Sequence, residues 1–150
     1  LPYSFSPADR ISGLSAPSNI ILNENDGYLY ATVWAWNSDA RDQKHGMCVI
    51  RTNNIADPTS WRAYDGIGFN TSFYPSGSTC YSVMPDVIPS GMMPTQLAYS
   101  SLLKKFLLVG YNKGVYILAS DDLVHWKSLC NCRILLGIFH LSLVPQRMPA

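Results

Sequence analysis

Gly114-Val115-Tyr116-Ile117-Leu118-Ala119, running into Ser120-Asp121-Asp122-Leu123-Val124-His125-Trp126, is the stretch that decides the fold. The first half is a run of β-branched, aromatic and aliphatic residues, the composition of a strand. In the second half, Ser and Asp side-chain oxygens can fold onto nearby backbone N–H groups and fix a corner. The Trp that follows buries a large ring between layers.

This stretch is one copy of an internal repeat. Gly46-Met47-Cys48-Val49-Ile50-Arg51-Thr52-Asn53-Asn54-Ile55 lies on Gly114 to Leu123 without a gap, position 46 on position 114. Each copy then reaches a Trp and a basic residue, Trp61-Arg62 and Trp126-Lys127. Upstream, Tyr28-Leu29-Tyr30 falls on Phe106-Leu107-Leu108, and Pro17-Ser18-Asn19-Ile20 on Pro94-Thr95-Gln96-Leu97. A fixed order of short strands repeated along a chain marks a repeat architecture.

Each unit reads as an inner strand A (about 19–22 and 96–99), a strand B (about 28–36 and 106–111), a strand C (about 47–52 and 115–120) and a short outer strand D opening at the Trp. Asn25-Asp26-Gly27 and Lys104-Lys105 punctuate the A–B turns. In strand B of the first unit neither alternating set of side chains is polar, so both of its faces are covered. No long stretch carries apolar residues at helical spacing. The expected fold is all-β: an incomplete β-propeller of two four-stranded antiparallel blades. The first blade covers about 16–66, a connector 67–93 and the second blade about 94–128, so that 1–127 form a partial propeller ahead of an atypical tail at 128–150.

The corner Ser120-Asp121-Asp122-Leu123-Val124-His125-Trp126, with the strand before it, resembles the signature of the five-bladed propeller glycosidases, glycoside hydrolase families 43 and 32 and their relatives. The likeness spans about 16–127. Sialidase Asp-boxes differ, having Gly where Val124 stands and Trp seven residues after Ser, whereas Trp126 comes six after Ser120. The resemblance implies a five-bladed ring in the full-length protein, of which this chain is a fragment. It also implies an extracellular or secreted setting and a poly- or oligosaccharide substrate. Hydrolysis in that family uses two carboxyl groups around a central funnel, one donating a proton and the other activating water or attacking.

The matching positions near the start of strand A are Ser18, Asn19, Thr95 and Gln96, none of which ionises to a carboxylate. Glu24, the sole glutamate, falls in an A–B turn. Carboxylate candidates are therefore Asp42, Asp86 and Asp9, none in a family position. The B–C loop of the first unit is longer than that of the second and emerges where strand A begins. Trp36, Asn37, Asp39, Arg41 and His45 in and beside it suit a sugar, stacking on its C–H face and hydrogen-bonding its hydroxyls. Asp42 with His45 would make an acid/base pair there. The bland reading of this segment is a solvated loop anchored by one Trp.

Composition limits the alternatives. The 150 residues are 47% hydrophobic and only 14% charged, with a formal net charge of +1, which fits a packed domain. No basic run exceeds Lys104-Lys105, so a row of phosphates has no partner and nucleic acid is not expected. The longest apolar stretch, 134–144, is shorter than the roughly 20 residues of a spanning helix, and no membrane partner is expected. The four cysteines form no metal-binding spacing, and neither a metal nor a cofactor is expected. Asn70-Thr71-Ser72 matches a glycosylation acceptor.

Two blades cannot close a ring, so self-association through open blade faces is expected. After Trp126, either an outer strand runs on or the tail leaves the repeat pattern; its crowded Cys130 and Cys132 favour the latter. Three functions follow: a fragment of a glycoside hydrolase-like protein, a non-catalytic glycan- or protein-binding propeller module, or a truncated product without independent function.

Overall fold

A computed structural model describes residues 12–15, 17–37, 46–72, 80–84, 93–112, 114–132, 134–135 and 138–139. The described chain is all-β, with two antiparallel sheets that follow the two halves of the repeat. The first contains β1 (Ser12–Ser15), β2 (Ile21–Asn23), β3 (Tyr28–Asn37), β4 (Gly46–Thr52), β5 (Arg62–Ala63) and β6 (Thr71–Ser72). The second contains β7 (Met93–Ser100), β8 (Lys105–Tyr111), β9 (Val115–Ser120) and β10 (Trp126–Cys132), paired in chain order as a four-stranded meander. A short pair, β11 (Ile134–Leu135) and β12 (Ile138–Phe139), follows.

The expected strands B and C are found at the expected places in both halves. Strand A of the first half differs from its expected single run. β1 and β2 are two pieces on the same edge of β3, β1 pairing with 34–37 and β2 with 28–30. Side-chain chemistry explains the break between them. Ser18 donates its backbone N–H to Thr32 O (2.8 Å), but the return bond, from Thr32 N, goes to Ser18 Oγ (2.9 Å) and not to a carbonyl. A hydroxyl thus completes the ladder, and the backbone at Asn19 leaves the sheet. Strand D of the first half shrinks to β5, after a 3-10 turn at Pro58–Ser60 that Asp57 caps through its carboxylate on Thr59 N (2.8 Å). The connector adds β6 beside β5. At the other end, the outer strand runs on to Cys132, with a register shift between Ser128 and Cys130.

Period-two alternation decides which residues meet. In the first sheet Tyr30↔Arg51, Thr32↔Val49 and Trp34↔Met47 share one face, while Ala31↔Ile50 and Val33↔Cys48 share the other. The first face packs on the second sheet, where Phe106, Leu108, Tyr116, Leu118, Leu97 and Trp126 complete one continuous core. Val33, Cys48, Ala63 and Cys80 form a separate cluster on the opposite face. Tyr30 to Trp34 are therefore buried at five successive positions, as covering on both faces requires. Met47, Leu97, Leu108 and Leu118 are essentially inaccessible, and truncating any one to Ala costs about 2–5 kcal/mol.

A disulfide joins Cys48 in β4 to Cys80, with Cα atoms 6.0 Å apart, within the usual bridging span. It ties the 80–84 segment to the second face of the first sheet, and Val83 N donates to Met47 O (2.9 Å) alongside. Gly46, which begins β4, meets the same segment: a Cβ there would overlap the Ser82 side chain.

Candidate functional site

The site expected from the sequence lies around the β3–β4 connection. β3 carries Trp36 and Asn37 to its end, where their backbones pair with Gly13 and Ser12 of β1. The connection beyond them, 38–45, is longer than its counterpart in the second sheet, 112–114, between Tyr111 and Val115. Asp39, Arg41, Asp42 and His45 belong to it and, with Asp9 and Asp86, lie outside the described residues. The structure therefore brings Trp36 and Asn37 together at one sheet end and describes none of the carboxylate candidates.

Three described groups of ionisable side chains have defined geometry. In the first, Arg51 is sandwiched between two rings, its guanidinium carbon 4.2 Å from the Tyr28 centroid and 4.3 Å from that of Phe69. It donates to Tyr30 Oη (3.2 Å), and the Tyr30 hydroxyl donates to Asp26 Oδ2 (2.6 Å). Burial and this bond push the Tyr30 hydroxyl up to about 12, against the opposing pull of Arg51. Tyr30 thus stays protonated at any physiological pH. The β2–β3 turn positions Asp26, whose Oδ1 accepts from Tyr28 N (3.1 Å), and Gly27 supplies the positive φ of 75° the turn needs. Tyr64 and Tyr81 extend the aromatic cluster, with Tyr64 5.5 Å from Phe69 and 6.1 Å from Tyr81. The cation is engaged by these rings and by the Asp26 carboxylate (3.7 Å), which makes this group a brace between β3, β4 and the β2–β3 turn.

The second is the corner between β9 and β10. Asp122 Oδ1 accepts from Ser120 Oγ (3.0 Å), Val124 N (3.0 Å) and His125 N (2.8 Å), and Oδ2 meets His125 Nδ1 at 2.6 Å. Burial raises the Asp122 carboxyl, but the bonds from the His125 side chain, the His125 and Val124 N–H groups and the Ser120 hydroxyl prevail and hold it below its ordinary value. Leu123 takes a left-handed conformation (φ 69°), fully buried, and its carbonyl accepts from Trp126 Nε1 at 2.8 Å. Ser, Asp and His are all present, yet the hydroxyl donates to the carboxylate and not to the imidazole. The nucleophile–base bond of a hydrolytic triad is therefore missing from this arrangement. Lys105 pairs with Asp121 (2.6 Å) beside an open hollow that Lys127 and Ser128 also line. In the first sheet Thr52 and Asn54 take the places of Ser120 and Asp122: Asn54 N donates to Thr52 Oγ1 (3.0 Å), and Thr52 and Ser60 share a short hydroxyl contact.

The third is the 65–70 loop. Asp65 Oδ1 accepts from Ile67 N (2.9 Å) and Gly68 N (2.8 Å), and Oδ2 from Asn70 Nδ2 (3.0 Å). Chiefly through the Gly68 and Ile67 N–H groups, with the Asn70 amide after them, its carboxyl is held below the usual range. Asp57 is lowered by Thr59, through the side-chain bond first and the backbone bond second.

A fourth feature joins the sheets. Asn19 Nδ2 donates to Leu97 O (2.9 Å) and Asn19 Oδ1 accepts from Leu97 N (2.7 Å). The carboxamide imitates a β-bridge between the inner strands of the two repeats. Its sequence signal is the alignment of Asn19 with Gln96, two carboxamides at one repeat position. The Cys48–Cys80 bond has no such signal, since a separation of 32 residues follows no short motif. Among the described residues no group of three or more His, Cys, Asp or Glu side chains is arranged to hold a metal ion. No family model, no curated protein and no solved structure matches the chain.

Proposed function

We propose that this chain forms two blades of a five-bladed propeller-type protein and serves as a non-catalytic carbohydrate-binding module. The observation that carries the non-catalytic reading is the condition of the carboxylates. Asp57, Asp65 and Asp122 are all lowered, each consumed as a hydrogen-bond acceptor in a turn or corner. Glycosidic cleavage needs one carboxyl held protonated beside another that is ionised, whereas these three carboxylates are committed to hydrogen bonds within their own turns and corner.

Two separate sheets with the same strand order, stacked through one core and joined by the Asn19 carboxamide, support the propeller reading. Gln96, the repeat counterpart of Asn19, is exposed, and it would meet a third sheet as Asn19 meets Leu97. Self-association, or further blades, would supply that sheet. The carbohydrate reading rests on the end of β3, where Trp36 and Asn37 lead into the longer of the two B–C connections. Arg41, Asp39 and His45 would add polar contacts there.

The test is binding of the chain to a panel of plant and microbial oligosaccharides by calorimetry, with reducing-end release measured in parallel. The expected result is binding to at least one glycan, lost in Trp36→Ala, with no release of reducing ends. Absence of binding across the panel overturns the carbohydrate reading. Release of reducing ends that disappears in Asp42→Asn, Asp86→Asn or Asp9→Asn overturns the non-catalytic one and restores the glycoside hydrolase-like enzyme.

A further inference from the structure

We infer that Asn70 is a site of N-linked glycosylation. Three independent observations meet at this residue. Asn70-Thr71-Ser72 is the only Asn-x-Ser/Thr triplet in the 150-residue sequence, with no proline at the middle position. The fold places Asn70 in solvent at the end of the tight 65–70 loop, directly before β6, where Asp65, Gly66 and Ile67 are also exposed. The chain contains the Cys48–Cys80 disulfide, a bond that persists in oxidising compartments, where N-glycan transfer takes place in eukaryotic cells.

The local geometry accommodates the product. One Nδ2 hydrogen of Asn70 goes to Asp65 Oδ2 (3.0 Å), and the amide carries a second. In the transfer, Nδ2 attacks C1 of an oligosaccharide carried on a lipid pyrophosphate. The N–C1 bond forms, the C1–O bond to pyrophosphate breaks, one amide proton is released and the lipid pyrophosphate departs. The remaining N–H keeps its bond to Asp65, so the loop conformation survives modification. A glycan here projects from the connector beside the last strand of the first sheet and away from the core, which Tyr64 and Phe69 close from beneath.

The experiment is translation of the full chain, behind a cleavable secretion leader, in the presence of eukaryotic microsomes, reading only the protease-protected product. The expected result is a mobility shift that peptide-N-glycosidase removes, leaving an aspartate in the peptide that held Asn70. Asn70→Gln and Ser72→Ala each abolish the shift, and because transfer occurs on the nascent chain neither readout depends on the variant folding. Protected chain that carries the Cys48–Cys80 bond yet shows no shift overturns the inference, as does a shift that persists in Asn70→Gln. Protected chain in which Cys48 and Cys80 stay reduced removes the compartment the inference stands on and overturns it equally.

Discussion

Replacing Asn19 by Ala removes a side chain that, alone among the described residues, bonds the backbone of the opposite sheet through both of its polar atoms. Each bond, at 2.9 and 2.7 Å, contributes about 0.5–1.5 kcal/mol net, so the pair is worth about 1–3 kcal/mol. Leu97 is only 1% exposed, which would leave its N–H and C=O without partners, but Asn19 itself is exposed and water can enter the vacated place. The loss therefore falls in the lower half of that range, about 1.5 kcal/mol. Urea unfolding of the purified chain should show a lower midpoint at unchanged slope, since the surface exposed on unfolding does not change. Amide hydrogen exchange localises the effect: a loss of one to two kcal/mol multiplies the open population roughly 5–30-fold, and Leu97 N–H should exchange faster by that factor. Asn19→Asp keeps the acceptor for Leu97 N–H and sets an oxygen against Leu97 O, so at neutral pH it recovers little over Ala, and acidification restores a donor and with it stability relative to Ala. Stability changed by less than about 0.5 kcal/mol in Asn19→Ala, with Leu97 exchange unaltered, would refute the claim that this carboxamide holds the sheets together.

Converting both Cys48 and Cys80 to Ala opens a loop closed across 32 residues, and the chain-entropy relation gives a loss of about 3.7 kcal/mol; a thermal midpoint unchanged from the oxidised protein in non-reducing buffer would contradict it. Thr32 Oγ1 is fully buried without a hydrogen-bond partner among the described residues, so Thr32→Val, which keeps the shape and removes the orphan hydroxyl, should stabilise by about 1 kcal/mol in the same urea assay. The Asp122 carboxyl is held below its ordinary value, so it contributes stability above its unfolded pKa and loses it as pH falls through the lower folded one. Acid titration of stability should accordingly show a shallower decline below about pH 4 in Asp122→Asn than in the parent. The difference is modest because that side chain is 48% exposed.

What the sequence determined by itself was the strand content and its repetition. Tyr28 to Trp36 and Val115 to Ser120 are short runs rich in aromatic and β-branched residues and bounded by turn residues, which marks them as strands whichever face each side chain takes. Ser120, Asp122 and Trp126 fix their corner by bonds no longer than three residues in sequence, and such local bonds depend on little else. Residues distant in sequence were settled only by the tertiary structure. Splitting of strand A depended on Ser18 reaching Thr32, pairing of Cys48 with Cys80 on how the 80–84 segment lies across β4, and the grip of Asn19 on Leu97 on how two sheets stack. Glu24 and the described aspartates look alike as letters, and their surroundings assign Asp57, Asp65 and Asp122 to turns. A chain folds its corners from neighbours and its bridges from strangers, since the cost of bringing distant residues together is recovered only when the whole core closes.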